Sequence, residues 1–207
     1  MNIIIKRREE TGITYEQIVS LMHESFEERL LQGLKFTCSF MTVEQYKKKT
    51  SDGIIFVAID EDTHELMGTA VVHIRKDSVG VIYGYNELAA ISPKAKRCGI
   101  GSMLLRERVC EVEKKGGEYI LSDTAVGATS SVKYHLKNGF KIIGLQSYSS
   151  TNYFSYLFRK QLVPSKKWNS NLYCKYVFFK SYIITKLKLK KNGSTTFLYS
   201  IYKWIKG

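Results

Sequence analysis

The feature that most constrains the fold is an apolar strand, a glycine-containing turn and a helix that follow one another between residues 79 and 115. Residues 79–91 have a strand pattern, Gly99 and Gly101 lie in the turn, and a helix is predicted over residues 100–115. Glycine has no Cβ, so backbone at such a turn can approach an anion closely. The first N–H groups of a helix have no partner within it and, with the helix dipole, attract phosphate. We therefore predict a phosphate site where this helix begins.

Cationic side chains flank the turn, since Lys94, Lys96 and Arg97 all precede Gly99. They add positive charge at the end of the helix that would hold a pyrophosphate. Two common phosphate motifs do not fit: position 104 is Leu where a dinucleotide fingerprint needs Gly, and the P-loop pattern G-x-x-x-x-G-K-[ST] is absent. The glycines alone leave an alternative open, in which the segment is a tight turn with solvated basic residues.

Capping residues and hydrophobic periodicity predict the elements on either side. Thr14 with Gln17, and Thr42 with Gln45, are the signatures of two capped helices. Two dense apolar runs around the acidic turn at residues 60–64 predict a hairpin. Gly80 and Gly84 within the strand at 79–91 suggest bulges. The predicted order is β-α-α-β-β-β-α-β-α-β-β, which favours an α/β (α+β) fold with a mixed sheet flanked by helices on both faces.

The charge of the chain is concentrated at its C-terminal end. Residues 161–207 contain ten Lys and ten aromatic residues but no Arg, Asp or Glu, whereas the first 160 residues are nearly neutral. This change predicts a domain over residues 1–162 and a basic, aromatic C-terminal extension over 163–207. Such an extension suits an anionic membrane surface, or a helical layer packed on the domain; nucleic acid is a weaker fit because Arg is missing.

Several classes of protein are disfavoured. Four Cys in 207 residues do not make a disulfide scaffold, and their spacing and that of the four His contain no zinc motif, so no metal is expected. No apolar stretch approaches the roughly 18 residues that span a bilayer, and the first ten residues do not resemble a secretory signal. We expect a cytoplasmic protein, peripheral at the inner membrane face if the extension binds lipid.

Two segments together resemble one family. ELAAISPKAKRCGIGSMLL is similar to the acetyl-CoA-binding motif of the GNAT superfamily of N-acyltransferases, and SSVKYHLKNGFKIIG is similar to its second conserved block. The resemblance covers about residues 1–160. It implies a GNAT-like sheet whose central strands splay apart to admit the pantetheine of acetyl-CoA as co-substrate. The cofactor-binding residues that it implies are Ala89, Ala90, Ile91, Lys96, Arg97, Cys98, Gly99, Ile100, Gly101 and Ser102.

The resemblance also implies catalytic candidates. The family's usual tyrosine, which protonates the leaving thiolate, corresponds to His135, with Tyr134 beside it; an alternative is that His135 merely packs or donates to a carbonyl. Glu87, an acid inside an apolar strand, is the candidate base, unless it is simply paired with a Lys. Ala128 replaces an Asn that the family has near the start of this helix.

The function that this resemblance implies is N-acetyl transfer from acetyl-CoA to a primary amine by direct attack on the thioester. We expect the acceptor to be a small molecule or an amino sugar, with a protein amine as the second choice. The alternative from another class is a non-catalytic GNAT-fold scaffold that binds membrane or nucleic acid through its basic extension.

Overall fold

A computed structural model describes residues 2–148 and 150–164, together with Tyr176 and Phe179. The order of helices and strands predicted from the sequence is confirmed. The seven strands are β1 (Ile3–Arg7), β2 (Gly53–Asp60), β3 (Leu66–Lys76), β4 (Ile82–Ile91), β5 (Tyr119–Ala125), β6 (Lys141–Ser147) and β7 (Phe154–Gln161). The four α-helices are α1 (Tyr15–Leu31), α2 (Val43–Lys49), α3 (Ile100–Lys114) and α4 (Thr129–Lys137).

Both predicted capping boxes form. The Thr14 hydroxyl accepts a 3.2 Å hydrogen bond from the Gln17 N–H, and the Gln17 side chain accepts one of 2.8 Å from the Thr14 N–H. Thr42 and Gln45 repeat the arrangement at the start of α2. Each box satisfies two N–H groups that a helix start leaves without partners, so α1 and α2 begin where the sequence predicts.

The strands form one mixed sheet in the order β1-β2-β3-β4-β5-β7-β6, in which β4 and β5 are parallel and all other neighbours are antiparallel. Successive side chains of a strand point to opposite faces, so the sheet has two apolar faces to cover. Helices α1 and α2 cover one face through Ile18, Met22 and Tyr46. Helices α3 and α4 cover the other, where Leu104 and Val112 of α3 pack on the sheet. The predicted GNAT-like fold class is confirmed.

The start of β4 and the position of its bulge differ from the prediction. Residues 79–81 belong to the β3–β4 turn, because the Asp77 carboxylate accepts hydrogen bonds from the N–H groups of Val79 and Val81. Gly80 lies in that turn with φ of 86°. The register shift falls later, opposite Thr69–Val71, where Leu88 has φ of 51°. The bulge is therefore formed by Leu88, which no glycine pattern marks.

Gly84 serves a different purpose from the predicted bulge. A Cβ at this position would lie 2.4 Å from a methyl carbon of Val112 in α3 and 3.3 Å from Ile120 in β5. The absence of a side chain at Gly84 thus lets α3 lie close against the sheet.

Most of the basic extension predicted over residues 163–207 lies outside the described residues, so its membrane, nucleic-acid and packing roles stay predictions. Within the part of the chain that is described, no helix is both long and apolar enough to cross a bilayer. In the same part, no group of three or more His, Cys, Asp or Glu is placed to hold a metal ion.

Candidate active site

The two parallel strands at the centre of the sheet, β4 and β5, stop pairing about halfway along β4. Strands β4 and β5 pair from Tyr83 and Tyr119 up to Asn86 and Ser122, and no further. Beyond this point β4 stays with β3 up to Ile91, while β5 stays with β7 up to Ala125. A V-shaped gap therefore opens from the Asn86–Ser122 pair, with a β4 edge that has no strand partner in the described structure. An extended ligand that carries amide groups can pair with such an edge.

The turn between β4 and α3 has the geometry that an anion site requires. Gly99 precedes α3 in a left-handed conformation with φ of 79°, and nothing lies within 4 Å of the position where a Cβ would stand. The N–H groups of Ser102 and Met103 already bond to the Gly99 carbonyl. The earlier N–H groups of this helix start have no partner within the helix, and the helix dipole there favours a phosphate.

Gly101 has a second role that the sequence did not indicate. Its missing Cβ faces the ring of Tyr134 in α4, whose Cε2 would lie 3.2 Å away. The Tyr134 hydroxyl donates a 2.7 Å hydrogen bond to the Gly101 carbonyl. The glycine thus allows α4 to approach the first turn of α3, which brings the second conserved block against the first.

The basic residues of the turn are exposed and held by partners on other elements. The ammonium group of Lys96 lies 2.9 Å from a carboxylate oxygen of Glu28 in α1, and that of Lys94 lies 2.8 Å from Glu65. Exposed ion pairs of this kind are weak because water and salt screen them, so an arriving phosphate can compete for the lysines. Arg97 and Cys98 are exposed in the same turn, Ile100 is buried, and Ser102 is exposed with its hydroxyl 3.3 Å from the Asn138 carboxamide oxygen.

The predicted cofactor-binding strand end also lies at the gap. Ala89 is exposed, Ala90 is buried and pairs with Thr69 of β3, and Ile91 pairs with Gly68. The Ile91 carbonyl accepts a 2.9 Å hydrogen bond from the Ser25 hydroxyl of α1, which fixes the end of β4 against that helix. The ten predicted cofactor-binding residues therefore lie along one path, from the strand end through the turn to α3; their individual contacts to cofactor stay predictions.

Glu87 is the first residue of β4 beyond the paired segment, and its side chain lies on the α1–α2 face. One carboxylate oxygen is 2.8 Å from Nζ of Lys49 and the other is 2.8 Å from Nε2 of His73. Although it lies this close to Glu87, Nε2 of His73 makes no hydrogen bond in the described structure. His73 is buried, and its Nδ1 lies 2.8 Å from Asp52.

Burial raises the pKa of Glu87, but His73 and Lys49 outweigh it and hold the pKa below its ordinary value. A carboxylate whose pKa is held below its ordinary value is a weak base. The structure therefore places Glu87 beside the gap, as predicted, and also gives it the Lys partner of the alternative interpretation. Its role as the base stays a prediction, with less support than the neighbouring carboxylate on β5.

That neighbour is Asp123, which the sequence analysis did not single out. It is the first residue of β5 beyond the paired segment and accepts a 2.7 Å hydrogen bond from the Tyr85 hydroxyl. Burial raises the pKa of Asp123, and the negative charge of Glu87 raises it further, against the lowering effect of Tyr85 and Ser155. A half-buried carboxyl group with a raised pKa, next to the gap, has the properties of a general base.

His135 lies on the opposite face of the sheet and is buried. Its Nδ1 is 2.7 Å from the Ser131 carbonyl and must donate to it, so Nε2, 3.0 Å from the Ser122 hydroxyl, is an acceptor. The ring stacks on Phe158 with centroids 4.4 Å apart. Burial lowers the pKa of His135 to about 4, and nearby Arg108 contributes. The histidine is therefore neutral at pH 7, with its one N–H committed to a carbonyl.

Tyr134 is also largely buried, and burial raises the pKa of its hydroxyl, while Arg108 lowers it. Its ring lies edge-on to His135 with centroids 5.3 Å apart. Because its hydroxyl reaches the first turn of α3, it lies on the same side of the gap as the turn predicted to bind phosphate. Ala128, the position of the expected Asn, is the N-cap of α4 and makes no side-chain cap.

A split parallel strand pair, an anion site at one end of the gap and a carboxylate at its vertex define an acyl-CoA-dependent transferase. The described residues fit the cofactor: the free β4 edge suits the pantetheine amides, and the start of α3 suits the pyrophosphate. When bound, acetyl-CoA supplies an activated acetyl group at the vertex.

Comparison with known proteins agrees with this class. The family model of the GNAT acetyltransferases matches residues 15–140, more than half of the chain. The chain belongs to the GNAT acetyltransferase family and is an acetyl-CoA-dependent acyltransferase.

Solved structures share the fold at low sequence identity. A chain of the NatC complex bound to Gag peptide and CoA is 14% identical, with a TM-score of 0.64; the match covers 79% of this chain and 100% of that one. Ard1 from Thermoplasma volcanium is 14% identical over the same shares, with a TM-score of 0.58. A GNAT acetyltransferase from Staphylococcus aureus Mu50 is 15% identical, covering 78% and 99%, with a TM-score of 0.57. No curated protein matched the sequence.

Proposed function

We propose that the protein transfers the acetyl group to the primary amine of a small molecule, such as an amino sugar, with Asp123 as the general base. The observation that carries this proposal is the position of Asp123: a half-buried carboxyl group with a raised pKa at the vertex of the β4–β5 gap. An amine must be neutral to attack a thioester, and most amines are protonated at pH 7. A carboxylate at this point can accept the proton as the new bond forms.

Hydroxyl groups surround this carboxylate on the α1–α2 face. The Tyr85 hydroxyl donates a hydrogen bond to Asp123. Burial raises the pKa of the Tyr148 hydroxyl, and its interaction with Asp123 raises that pKa further. Burial raises the pKa of Tyr153, and the nearby Cys38 and Asp123 raise it further. An acceptor that carries several hydroxyl groups beside its amine can hydrogen-bond to such a lining, which supports an amino sugar.

The loops at the edge of this site are joined to each other, which supports a small acceptor. The Asn152 side chain donates a 2.7 Å hydrogen bond to the Gly33 carbonyl and accepts one of 3.0 Å from the Lys35 N–H. Beside it, the rings of Phe36 and Tyr153 pack with centroids 4.8 Å apart. A polypeptide that crossed this face would have to displace the bridge, whereas a small amine would not.

Each of the two predicted acids for the leaving thiolate has one feature in its favour: His135 contacts Ser122 at the vertex, whereas Tyr134, whose hydroxyl lies by the first turn of α3, keeps a transferable proton. A neutral His135 with its proton held by Ser131 has none to donate from Nε2, whereas the Tyr134 hydroxyl carries one and shares it with a single carbonyl. We expect Tyr134→Phe to lower kcat more than His135→Gln at pH 7. The reverse order would restore His135 as the acid.

The proposal is tested by thiol release from acetyl-CoA with a matched panel of amino sugars, other small primary amines and short peptides with free N-termini. We expect at least one small amine to give a higher kcat/KM than every peptide. Acetylation of peptides alone would contradict the small-molecule acceptor. Asn152→Ala is a useful companion variant, because opening the bridge should raise the relative rate of the bulkier acceptors.

A further inference from the structure

A buried polar side chain stands at the point where β4 and β5 stop pairing. Asn86 is the last residue of β4 that pairs with β5, and it is 3% exposed. Its partners across the sheet are Val72 of β3 and Ser122 of β5. Val72 belongs to the core under α3, and the Ser122 hydroxyl contacts His135 of α4, so these side chains share the α3–α4 face. Asn86 therefore lies at the vertex of the gap, on the face opposite to Asp123.

The carboxamide oxygen of Asn86 lacks the hydrogen bond that a buried acceptor normally receives. Oδ1 is shielded from solvent and has no hydrogen-bond partner among the described residues. An unpaired buried acceptor is destabilising, and the great majority of such groups in folded proteins are paired. A leucine would fill nearly the same space without this penalty. Packing therefore gives no reason for an asparagine at this position, and Oδ1 is available to a donor from a ligand.

The residue opposite Asn86 does not supply that donor. Nδ1 of His135 donates to the Ser131 carbonyl, so Nε2 accepts the one proton of the Ser122 hydroxyl, 3.0 Å away. The surrounding layer under α3 is apolar, with Val72 and Ile120 beside this pair. Asn86 and Ser122 thus present acceptor oxygens to the vertex within an apolar layer, an arrangement that suits a ligand with an N–H group.

The gap that begins at Asn86 is where this fold admits an extended ligand. The β4 edge beyond Asn86 suits the amide groups of pantetheine, whose reactive end belongs at the vertex. The side chain of asparagine is short, so Oδ1 stays close to its own backbone, and hence to the vertex, in every rotamer. Pantetheine has two amide N–H groups, and the one closer to sulfur is the donor nearest to the reactive end.

We propose that Asn86 is a binding residue for the cofactor, whose Oδ1 accepts a hydrogen bond from the pantetheine amide N–H closest to sulfur. This bond satisfies the buried acceptor only when the cofactor is bound, and it fixes the arm that carries the thioester. Asn86 thus lowers the stability of the free protein and raises its affinity for the cofactor. The role concerns cofactor binding alone, so it holds for whichever amine is the acceptor.

The first test compares CoA with its fragment 3′-phospho-ADP, which has no pantetheine, by calorimetry. Asn86→Leu should weaken the binding of CoA about tenfold and leave that of the fragment within about twofold. Thr50→Val is the matched control, because its buried hydroxyl already donates a 2.9 Å hydrogen bond to the Tyr46 carbonyl at the end of α2. It should change neither affinity. An unchanged affinity of Asn86→Leu for CoA, or an equal loss for both ligands, would overturn the proposal.

Thermal unfolding of the free protein distinguishes a ligand-binding Asn86 from a structural one. Asn86→Leu should keep or raise the Tm, because an apolar group of similar size replaces an acceptor that has no partner. Thr50→Val should lower the Tm, because it removes a buried hydroxyl that has one. A lowered Tm in Asn86→Leu together with an unchanged affinity for CoA would show a structural role and overturn the proposal.

The second test removes the donor instead of the acceptor. A CoA analogue in which an ester replaces the amide closest to sulfur should bind the unmodified protein about tenfold more weakly than CoA does. Asn86→Leu should bind CoA and the analogue with similar affinities, because the acceptor is already gone. Equal losses in both proteins would show that this N–H bonds elsewhere, and would overturn the proposal.

Two features keep this test decisive. If Asn86→Leu did not fold, an analogue that bound the unmodified protein as tightly as CoA would still overturn the proposal. No acceptor amine enters either measurement, so a failure of the proposed transfer to a small amine is distinguishable from a failure of the role assigned to Asn86.

Discussion

The Tyr85 hydroxyl of β4 donates a 2.7 Å hydrogen bond to the Asp123 carboxylate of β5, across the point at which the two strands stop pairing. The bond fixes a carboxylate at the vertex of the gap and leaves its second oxygen for other partners. Glu87, the first residue of β4 beyond the paired segment, carries a second carboxylate, whose pKa is shifted in the opposite direction. One vertex therefore holds a carboxyl group with a raised pKa and one with a lowered pKa.

Asp123→Asn should lower kcat/KM for the amine about 100-fold or more, because the amide keeps the bond from Tyr85 but cannot accept a proton. Acetyl-CoA affinity, measured by calorimetry, should change little. Asp77→Asn is the matched control, since that carboxylate lies in the β3–β4 turn and accepts hydrogen bonds from Val79, Val81 and Tyr119. Full activity in Asp123→Asn would exclude this residue as the base.

The two carboxylates should affect stability with opposite dependence on pH. The raised pKa of Asp123 means that its contribution is present below the ordinary carboxyl pKa and is lost as pH rises through the raised value. The lowered pKa of Glu87 gives a contribution that is present at neutral pH and is lost as pH falls through the lowered value. We therefore expect the Tm of Asp123→Asn, relative to the unmodified protein, to increase as pH rises from about 4 to 7. The relative Tm of Glu87→Gln should decrease as pH rises from about 3 to 5 and change little above that.

Thermal unfolding at several pH values between 3 and 8 measures both trends. At pH 7, Glu87→Gln should also cost about 1–3 kcal/mol of unfolding free energy, because it leaves the contacts of Lys49 and the buried His73 without their anion. Parallel pH profiles for the two variants would contradict the assignment of opposite shifts.

His135 should behave as a neutral, structural imidazole. Its pKa of about 4 lies below that of an unfolded histidine, so the unfolded chain binds more protons between about pH 4 and 6.5. The contribution of the neutral His135 to the unfolding free energy is complete above the ordinary histidine pKa. It is lost as pH falls towards about 4, and the total loss is about 3 kcal/mol. His135→Gln should therefore make the unfolding free energy less sensitive to pH in this range.

Nitrogen-15 NMR checks the same prediction directly. The His135 signals, identified by their loss in His135→Gln, should show the Nδ1–H tautomer from pH 6 to 8, because Nδ1 lies 2.7 Å from a carbonyl. A protonated ring at pH 7 would contradict this and would return His135 to consideration as the acid.

Features that depend on residues close together in the sequence could be predicted from it, whereas features that depend on the register between strands could not. The two capping boxes, the turn at Gly99 and the element order depend on residues a few positions apart, so a pattern is enough to predict them. Asp123 lies one residue past the predicted end of its strand and becomes a site residue through the parallel pairing of β4 with β5. That register depends on contacts between distant segments, which no short motif records.

The Gly99 conformation gives the last prediction. Gly99 and Gly80 both have φ near 80°, and neither has an atom within 4 Å of a Cβ position, so alanine at each is disfavoured by backbone conformation alone. Each substitution should cost a similar 1–2 kcal/mol of unfolding free energy, measured by urea denaturation. Only Gly99→Ala should also weaken acetyl-CoA binding, by about tenfold or more in calorimetry, since relief of the strain would turn the N–H groups at the start of α3 away from the pyrophosphate. Equal affinities in Gly99→Ala and Gly80→Ala would show that this turn does not bind the diphosphate.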